Sequence, residues 1–204
     1  MMKFEALINA GGKGSRMMNG GIEKPMLAVG GRPTVMHVIS ALQGSKHITS
    51  ILVSVSSNTP QTERYLNDMG IETVRTSGDS YMNDIHSALG TMSSDYVLTS
   101  PSDIPLLSSK AIDLVGEAFE PDMQSMITVV DEEVVTRFGI VPSYTIALDG
   151  RTWVMSGINI MDRKLTLDGE YLQEEYCKCS CIDLAVNVNT VQELQMARWL
   201  TGYP

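Results

Sequence analysis

Gly11, Gly12 and Gly14 crowd into four positions directly after the first apolar run of the chain, with Lys13 among them, Ser15 and Arg16 next, and Lys24 shortly beyond. Glycine allows positive φ and close approach of backbone to ligand, so successive N–H groups from Ala10 onward can converge on phosphate oxygens. Arg16 and Lys24 supply the positive charge that such oxygens need. Spacing excludes two common phosphate loops. A Walker loop, G-x-x-x-x-G-K-[ST], needs lysine where Ser15 stands, and the dinucleotide pattern G-x-G-x-x-G starts at Gly12 but meets Met17 where its third glycine belongs. On glycine content alone, a plain strand-to-helix turn stays open.

Asp103 is the second chemical feature, set between Pro101 and Pro105 just past an apolar run. Aspartate there commonly ends a turn. The carboxyl end of a central strand is also where open α/β sheets bind ligands, and a hard carboxylate suits Mg2+ carrying a nucleotide's phosphates. No Ser-His-Asp or Cys-His arrangement is evident.

The elements that must position these residues alternate regularly. Runs 4–9, 48–55, 71–76, 95–100 and 125–130 are short, β-branched and apolar, as strands buried on both faces should be. Helical spacing appears between them, with Pro33 expected at a first helical position, and Thr59, Pro60 and Gly70 expected as cap, N1 and stop of the next helix. This order predicts an α/β fold, a Rossmann-like three-layer sandwich whose sheet is mostly parallel. From about residue 131 to 168 the rhythm gives way to extended pieces with turns at Pro142 and Asp149-Gly150, read as an antiparallel insertion within a single domain spanning 1–204. The stretch "CSCIDLAVNVNT" reads as a final strand and "VQELQMARWL" as a C-terminal helix.

With 204 residues and a net charge of −9, the chain is large enough for a sizeable core and too acidic for a general nucleic-acid binder. Its apolar runs are far shorter than the ~20 residues of a bilayer span, and its start lacks a signal-peptide pattern, so a cytoplasmic protein without a membrane partner is expected. Cys177, Cys179 and Cys181 alternate along one stretch without a further cysteine, and the three histidines lie far off in sequence. Structural thiols are therefore expected rather than a disulfide framework or a closed zinc site.

The run Ala10-Gly11-Gly12-Lys13-Gly14-Ser15-Arg16-Met17, followed by Glu23-Lys24-Pro25, resembles the A-G-G-x-G-x-R-M and [ED]-K-P signature of the MobA-like nucleotidyltransferases, which share the sugar-nucleotide transferase fold. The resemblance implies that the loop wraps a triphosphate, that Lys24 contacts its phosphates, and that Asp103-Ile104-Pro105 carries the Mg2+ ligand. "VNVNTVQEL" resembles the family's closing N-x-N-T-x-x-[DE]-L, which implies a second metal contact at Asn189, with Asn187 beside it; capping of the last helix by Asn189 or Thr190 is the alternative. Asn58 then lies where the family reads the base, and Ser77 and Gly78 begin a second wall.

The segments "SSNTPQTERYL", "TSGDSYMNDI" and "SGINIM" resemble the archaeal-type guanylyltransferases of cobalamin synthesis, over nearly the whole chain. That resemblance implies GTP and adenosylcobinamide phosphate as substrates, with Gly157 and Asn159 near the acceptor, although a turn glycine and a solvated asparagine remain equally open. Molybdopterin or a sugar phosphate is the alternative acceptor, and a non-catalytic nucleotide-binding module the alternative class. A homodimer is a generic expectation only.

Overall fold

In the computed structural model, which describes residues 1–14 and 21–202, the elements follow the expected alternation. They are β1 (Phe4–Asn9), β2 (Ala28–Val29), β3 (Arg32–Pro33), α1 (Thr34–Gln43), β4 (Ile48–Val55), α2 (Pro60–Asp68), β5 (Thr73–Arg75), α3 (Tyr81–Leu89), β6 (Tyr96–Pro101) and α4 (Ser109–Ala118). There follow β7 (Ser125–Asp131), α5 (Glu132–Thr136), β8 (Thr145–Leu148), β9 (Arg151–Asp162), α6 (Arg163–Leu167), β10 (Glu174–Cys179) and α7 (Val191–Leu200).

The main sheet runs β10-β7-β9-β6-β1-β4-β5, with β8 against β9. The pairs β1–β4, β1–β6, β4–β5 and β7–β10 are parallel. β9 is antiparallel to β6, β7 and β8. Successive β1 side chains therefore enter different cores: Phe4, Ala6 and Ile8 pack with α1 and α4 on one face, while Leu7 packs with Ile85, Ala88 and Leu89 of α3 on the other. Strands covered on both faces must be apolar throughout, which is why β1 shows no polar alternation in its middle.

Asn9, Ser54 and Pro101 are register partners. The carboxyl ends of β1, β4 and β6 are thereby level, and the glycine loop, the Ser56–Thr59 turn and the Asp103 turn all leave from one edge.

Three local expectations are corrected. Pro33 is not the first residue of α1. It ends β3 in extended conformation (φ −54, ψ 143) and serves as the residue before Thr34, a position that its fixed φ also suits. The run 151–162, expected within an antiparallel insertion, is antiparallel to its neighbours but lies centrally in the main sheet as β9. A bulge interrupts it: its register against β7 slips between Ile127 and Val129, with Gly157 at φ 82 in the slip. The "CSCIDLAVNVNT" stretch is not the last strand. That strand is β10, upstream, and after a short 3-10 turn at Ile182–Leu184 the chain passes residues 185–190 without sheet pairing, hydrogen-bonded instead to the Asp103 turn through Val188 N–H and Asp103 C=O at 2.8 Å.

Cys177, Cys179 and Cys181 are free thiols, half-buried against the core. Burial pushes the Cys179 thiol up to about 12, and its S–H donates to the Val129 carbonyl at 3.3 Å. The thiolate is the reactive form, so Cys179 is expected to resist iodoacetamide at pH 8 in native protein and to alkylate fully once unfolded, as read by intact mass. No helix among the described residues is long and apolar enough to cross a membrane.

Candidate active site

The glycine loop is anchored before it opens. Ala10 N–H bonds the Ser54 carbonyl at 2.9 Å, and the Gly11 carbonyl accepts from Ser56 Oγ at 2.7 Å and Asn58 Nδ2 at 3.3 Å. A Cβ on Gly11 would come within 3.3 Å of Ser56 Cβ and the Val55 carbonyl carbon, so close strand-to-loop packing requires glycine there. Gly12 is exposed with open space around it, and Gly14 turns at φ 57. Lys13 pairs on the surface with Asp79 at 3.3 Å. Ser15 and Arg16 lie outside the described residues.

Lys24 is fixed by its neighbours on both sides. Pro25 starts a single 3-10 turn, Lys24–Met26, and Glu23 reaches across to α2. Its carboxylate accepts from the backbone N–H groups of Gln61 and Thr62 at 2.7 Å each and from Thr62 Oγ1 at 2.6 Å. These are free first-turn donors of α2. Thr59, expected to cap that helix, instead spends its hydroxyl on Ser56 N–H at 3.1 Å. Glu23→Ala is expected to cost about 1 kcal/mol, the usual loss on removing a helix cap, seen as a lower Tm, and to raise the KM for nucleotide severalfold as Lys24 loses its anchor.

So held, the Lys24 ammonium forms an ion pair with Asp103 and donates to Asn189 Oδ1 at 2.7 Å. Asn187 Nδ2 lies 3.4 Å from Asp103 Oδ1. Asp103 is 5% exposed, so its charge depends on these partners. Asn189 is oriented by its own N–H, which donates to Glu193 Oε2 at 2.7 Å. Capping of α7 falls to Thr190, whose Oγ1 accepts from Glu193 N–H at 3.2 Å. Asn189 is thus left to face Lys24, and the two readings of this stretch divide between neighbouring residues.

The second wall is built around Asn58. Its Nδ2 donates to both Gly11 O and Gly78 O, the latter at 3.2 Å, stitching the glycine loop to the loop after β5. Ser77 Oγ and Gly78 N–H both donate to Asp84 Oδ1, at 2.8 and 3.1 Å. Asn58, Ser77 and Gly78 therefore shape the wall through hydrogen bonds among themselves and their neighbours.

Two cavities meet at Asp103 and Asn189, the two residues that hold Lys24. One of about 290 Å³ is lined by Asn9, Ala10, Gly12, Gly14, Lys24 and Pro25 on the glycine-loop side. The other, about 590 Å³, is walled by apolar side chains that include Val135, Ile140, Val141, Pro142 and Met155, and by Gly157 and Asn159. Tyr81, Pro101, Asp103 and Asn189 border both. Asn159 Oδ1 is buried without a hydrogen-bond partner among the described residues. A cation held by the oxygens of Asp103 and Asn189, with phosphate-binding backbone on one side and a roomy apolar lobe on the other, can align two substrates across one point.

Sequence reasoning did not find Tyr81, which merely begins a helix, or Glu23's role as a helix cap. The E-K-P run contained the signal for the second, because a carboxylate fixed next to Lys24 needs a donor set and the nearest unpaired donors belong to a helix start. Among the described residues no group of three or more His, Cys, Asp and Glu is placed to hold a metal.

Residues 6–160 match the MobA-like NTP transferase domain. The chain is 32% identical, over 97% of both sequences, to adenosylcobinamide-phosphate guanylyltransferase of Methanocaldococcus jannaschii. It is 25% identical, over 95% of both, to molybdenum cofactor guanylyltransferase of Shewanella putrefaciens. Among solved structures, the CMP:2-keto-3-deoxy-manno-octonic acid synthetase complexed with CTP matches 98% of each chain with a TM-score of 0.71 at 14% identity, which shows a common fold. With the match covering most of its length and the motif residues gathered at one edge of the sheet, the chain belongs to the MobA-like NTP transferase family.

Proposed function

We propose that the protein transfers GMP from GTP to adenosylcobinamide phosphate, giving adenosylcobinamide-GDP and pyrophosphate. The observation that carries this reading is the meeting of two unlike lobes at Asp103 and Asn189, which together hold Lys24 on the smaller lobe's side. The smaller lobe offers glycine-loop backbone and a lysine, which suits a triphosphate. The larger lobe offers volume and apolar walls, which suits a bulky acceptor better than a small, hydroxyl-rich sugar phosphate. The guanylyl donor and the acceptor are those named for the M. jannaschii relative.

An acceptor phosphate oxygen attacks the α-phosphorus, the α–β bridging bond breaks, and its electron pair leaves with pyrophosphate. The nucleophile is ionised near neutral pH, so alignment and charge stabilisation do the catalysis and no strong general base is required. Lys24 moves from Asp103 to the phosphates as the nucleotide binds. The residues fit Mg2+ as well: the Asp103 carboxylate and Asn189 carbonyl oxygen, hard donors that already hold an ammonium, would hold it, and when bound it supplies charge neutralisation at the phosphates. Gly157, at positive φ on the β9 bulge, leaves the lobe open near the junction, with Asn159 beside it in the wall.

Pyrophosphate release measured with GTP, ATP, CTP and UTP, each with adenosylcobinamide phosphate and Mg2+, is expected with GTP alone. GTP binding without turnover on this acceptor, alongside turnover on molybdopterin or a sugar phosphate, would overturn the acceptor assignment.

A further inference from the structure

The larger lobe has a charge problem. Its lining contains two carboxylates, Asp103 and Glu193, and no lysine or arginine among the described residues. The acceptor nevertheless has to bring a phosphate to the junction. Lys24, the cation there, is needed by the triphosphate on its own side, and Lys13 faces outward to Asp79. A neutral donor on the larger-lobe side can hold and orient such an anion at that border without adding charge.

Tyr81 is the residue in position to provide one. It begins α3 immediately after the Gly78 loop, whose backbone is pinned by Asp84 and Asn58, so its Cα is rigidly placed. It borders both lobes together with Asp103 and Asn189. It is 55% exposed in spite of its size, and its hydroxyl has no hydrogen-bond partner among the described residues. Like any tyrosine hydroxyl it keeps its proton at neutral pH and remains a donor, and desolvation beside the cleft pushes it further above its ordinary range.

We propose that the Tyr81 hydroxyl donates a hydrogen bond to a non-attacking oxygen of the acceptor's phosphate, holding it in line with the α-phosphorus across the Lys24–Asp103–Asn189 junction. The proposal rests on the two-lobe reading above but concerns any phosphomonoester acceptor. Tyr81 gives up no proton in the reaction. It turns the acceptor phosphate, and the same pyrophosphate is lost with or without it.

Steady-state kinetics on the full chain tests this with Tyr81→Phe, which keeps the ring and removes only the donor, and with Tyr81→Ala. Losing one hydrogen bond to a charged group is expected to raise the acceptor KM about tenfold in Tyr81→Phe, with the KM for GTP within about twofold of wild type. Tyr81→Ala should show at least the same loss. An unchanged acceptor KM and kcat in Tyr81→Phe overturns the proposal whatever Tyr81→Ala does, because the ring alone would then be at work. An equal rise in the KM for GTP overturns it too, assigning the hydroxyl to the nucleotide. If wild type fails to turn over adenosylcobinamide phosphate, the acceptor assignment falls instead, and the Tyr81→Phe ratio is then read on the acceptor that is turned over.

Discussion

Lys24→Ala is expected to lower kcat by about 100-fold or more, the loss that accompanies removal of one charge-stabilising donor from a transition state, while the protein still binds GTP through the glycine loop. The same substitution should also destabilise the free protein, and by a mechanism unrelated to catalysis. Asp103 is 5% exposed and loses its only cationic partner among the described residues. Stranding a buried carboxylate costs about 3 kcal/mol at the lower end of such cases, or roughly 6–12 °C in Tm for a chain of this size. The low end applies because Asp103 borders two cavities that admit water. A second substitution separates the two effects. Lys24→Ala with Asp103→Asn removes both charges, and is expected to recover most of the Tm while leaving turnover as low or lower. A double variant with wild-type rate would show that neither residue acts on the reacting groups.

Gly78→Ala is expected to be the most damaging change of a single methyl group. Gly78 sits at φ 72, and a Cβ there would lie 2.4 Å from both Asn58 Nδ2 and Ser56 Oγ. The left-handed conformation costs a non-glycine residue about 1–2 kcal/mol, and overpacking a tight site adds about 1–3. Asn58 would have to leave, releasing Gly11 O and Gly78 O together, so the KM for GTP should rise at least about tenfold as the Tm falls. Gly12→Ala is the comparison, since Gly12 has open space around it and no positive φ. Its Tm should stay near wild type, so that any lost affinity reports on the ligand. Equal Tm values for the two variants would contradict the account of Gly78.

How much of this was legible in the sequence depended on whether the cause was local. β1, β4, β6, α2 and α4 follow from apolar runs and caps that lie within a few residues of one another, and the Asp149-Gly150 turn follows from the residues at its two positive φ angles. Lys24, Asp103 and Asn189 could be named from motifs, and the structure brings them together. Other features were settled at a distance. β9 takes a central place because β6 and β7 each lack a partner on one side, which no pattern within 151–162 reveals. Residues 185–190 look like a strand because they are apolar and β-branched, yet the sheet has no open edge for them at that point, and Val188 bonds the Asp103 turn instead. Tyr81 carries no signature either, because what distinguishes it is the absence of lysine and arginine from walls supplied by 135, 140–144, 154–157 and 159. Arg16 and Ser15 were named from the motif and lie outside the described residues.

The place of β9 in the sheet also bears on how the molecule assembles. Until residues 159–162 arrive, β6 presents a bare row of backbone donors and acceptors on the side away from β1. Such an edge invites pairing with another chain. A nascent or truncated protein ending near residue 130 would have its glycine loop, Lys24 and Asp103 in sequence and still be sticky and unfinished, because the strand that closes the edge also lines the larger lobe, and Val188, later still, pins the Asp103 turn. Competence to bind an acceptor and protection from aggregation are thus acquired in the same late folding step.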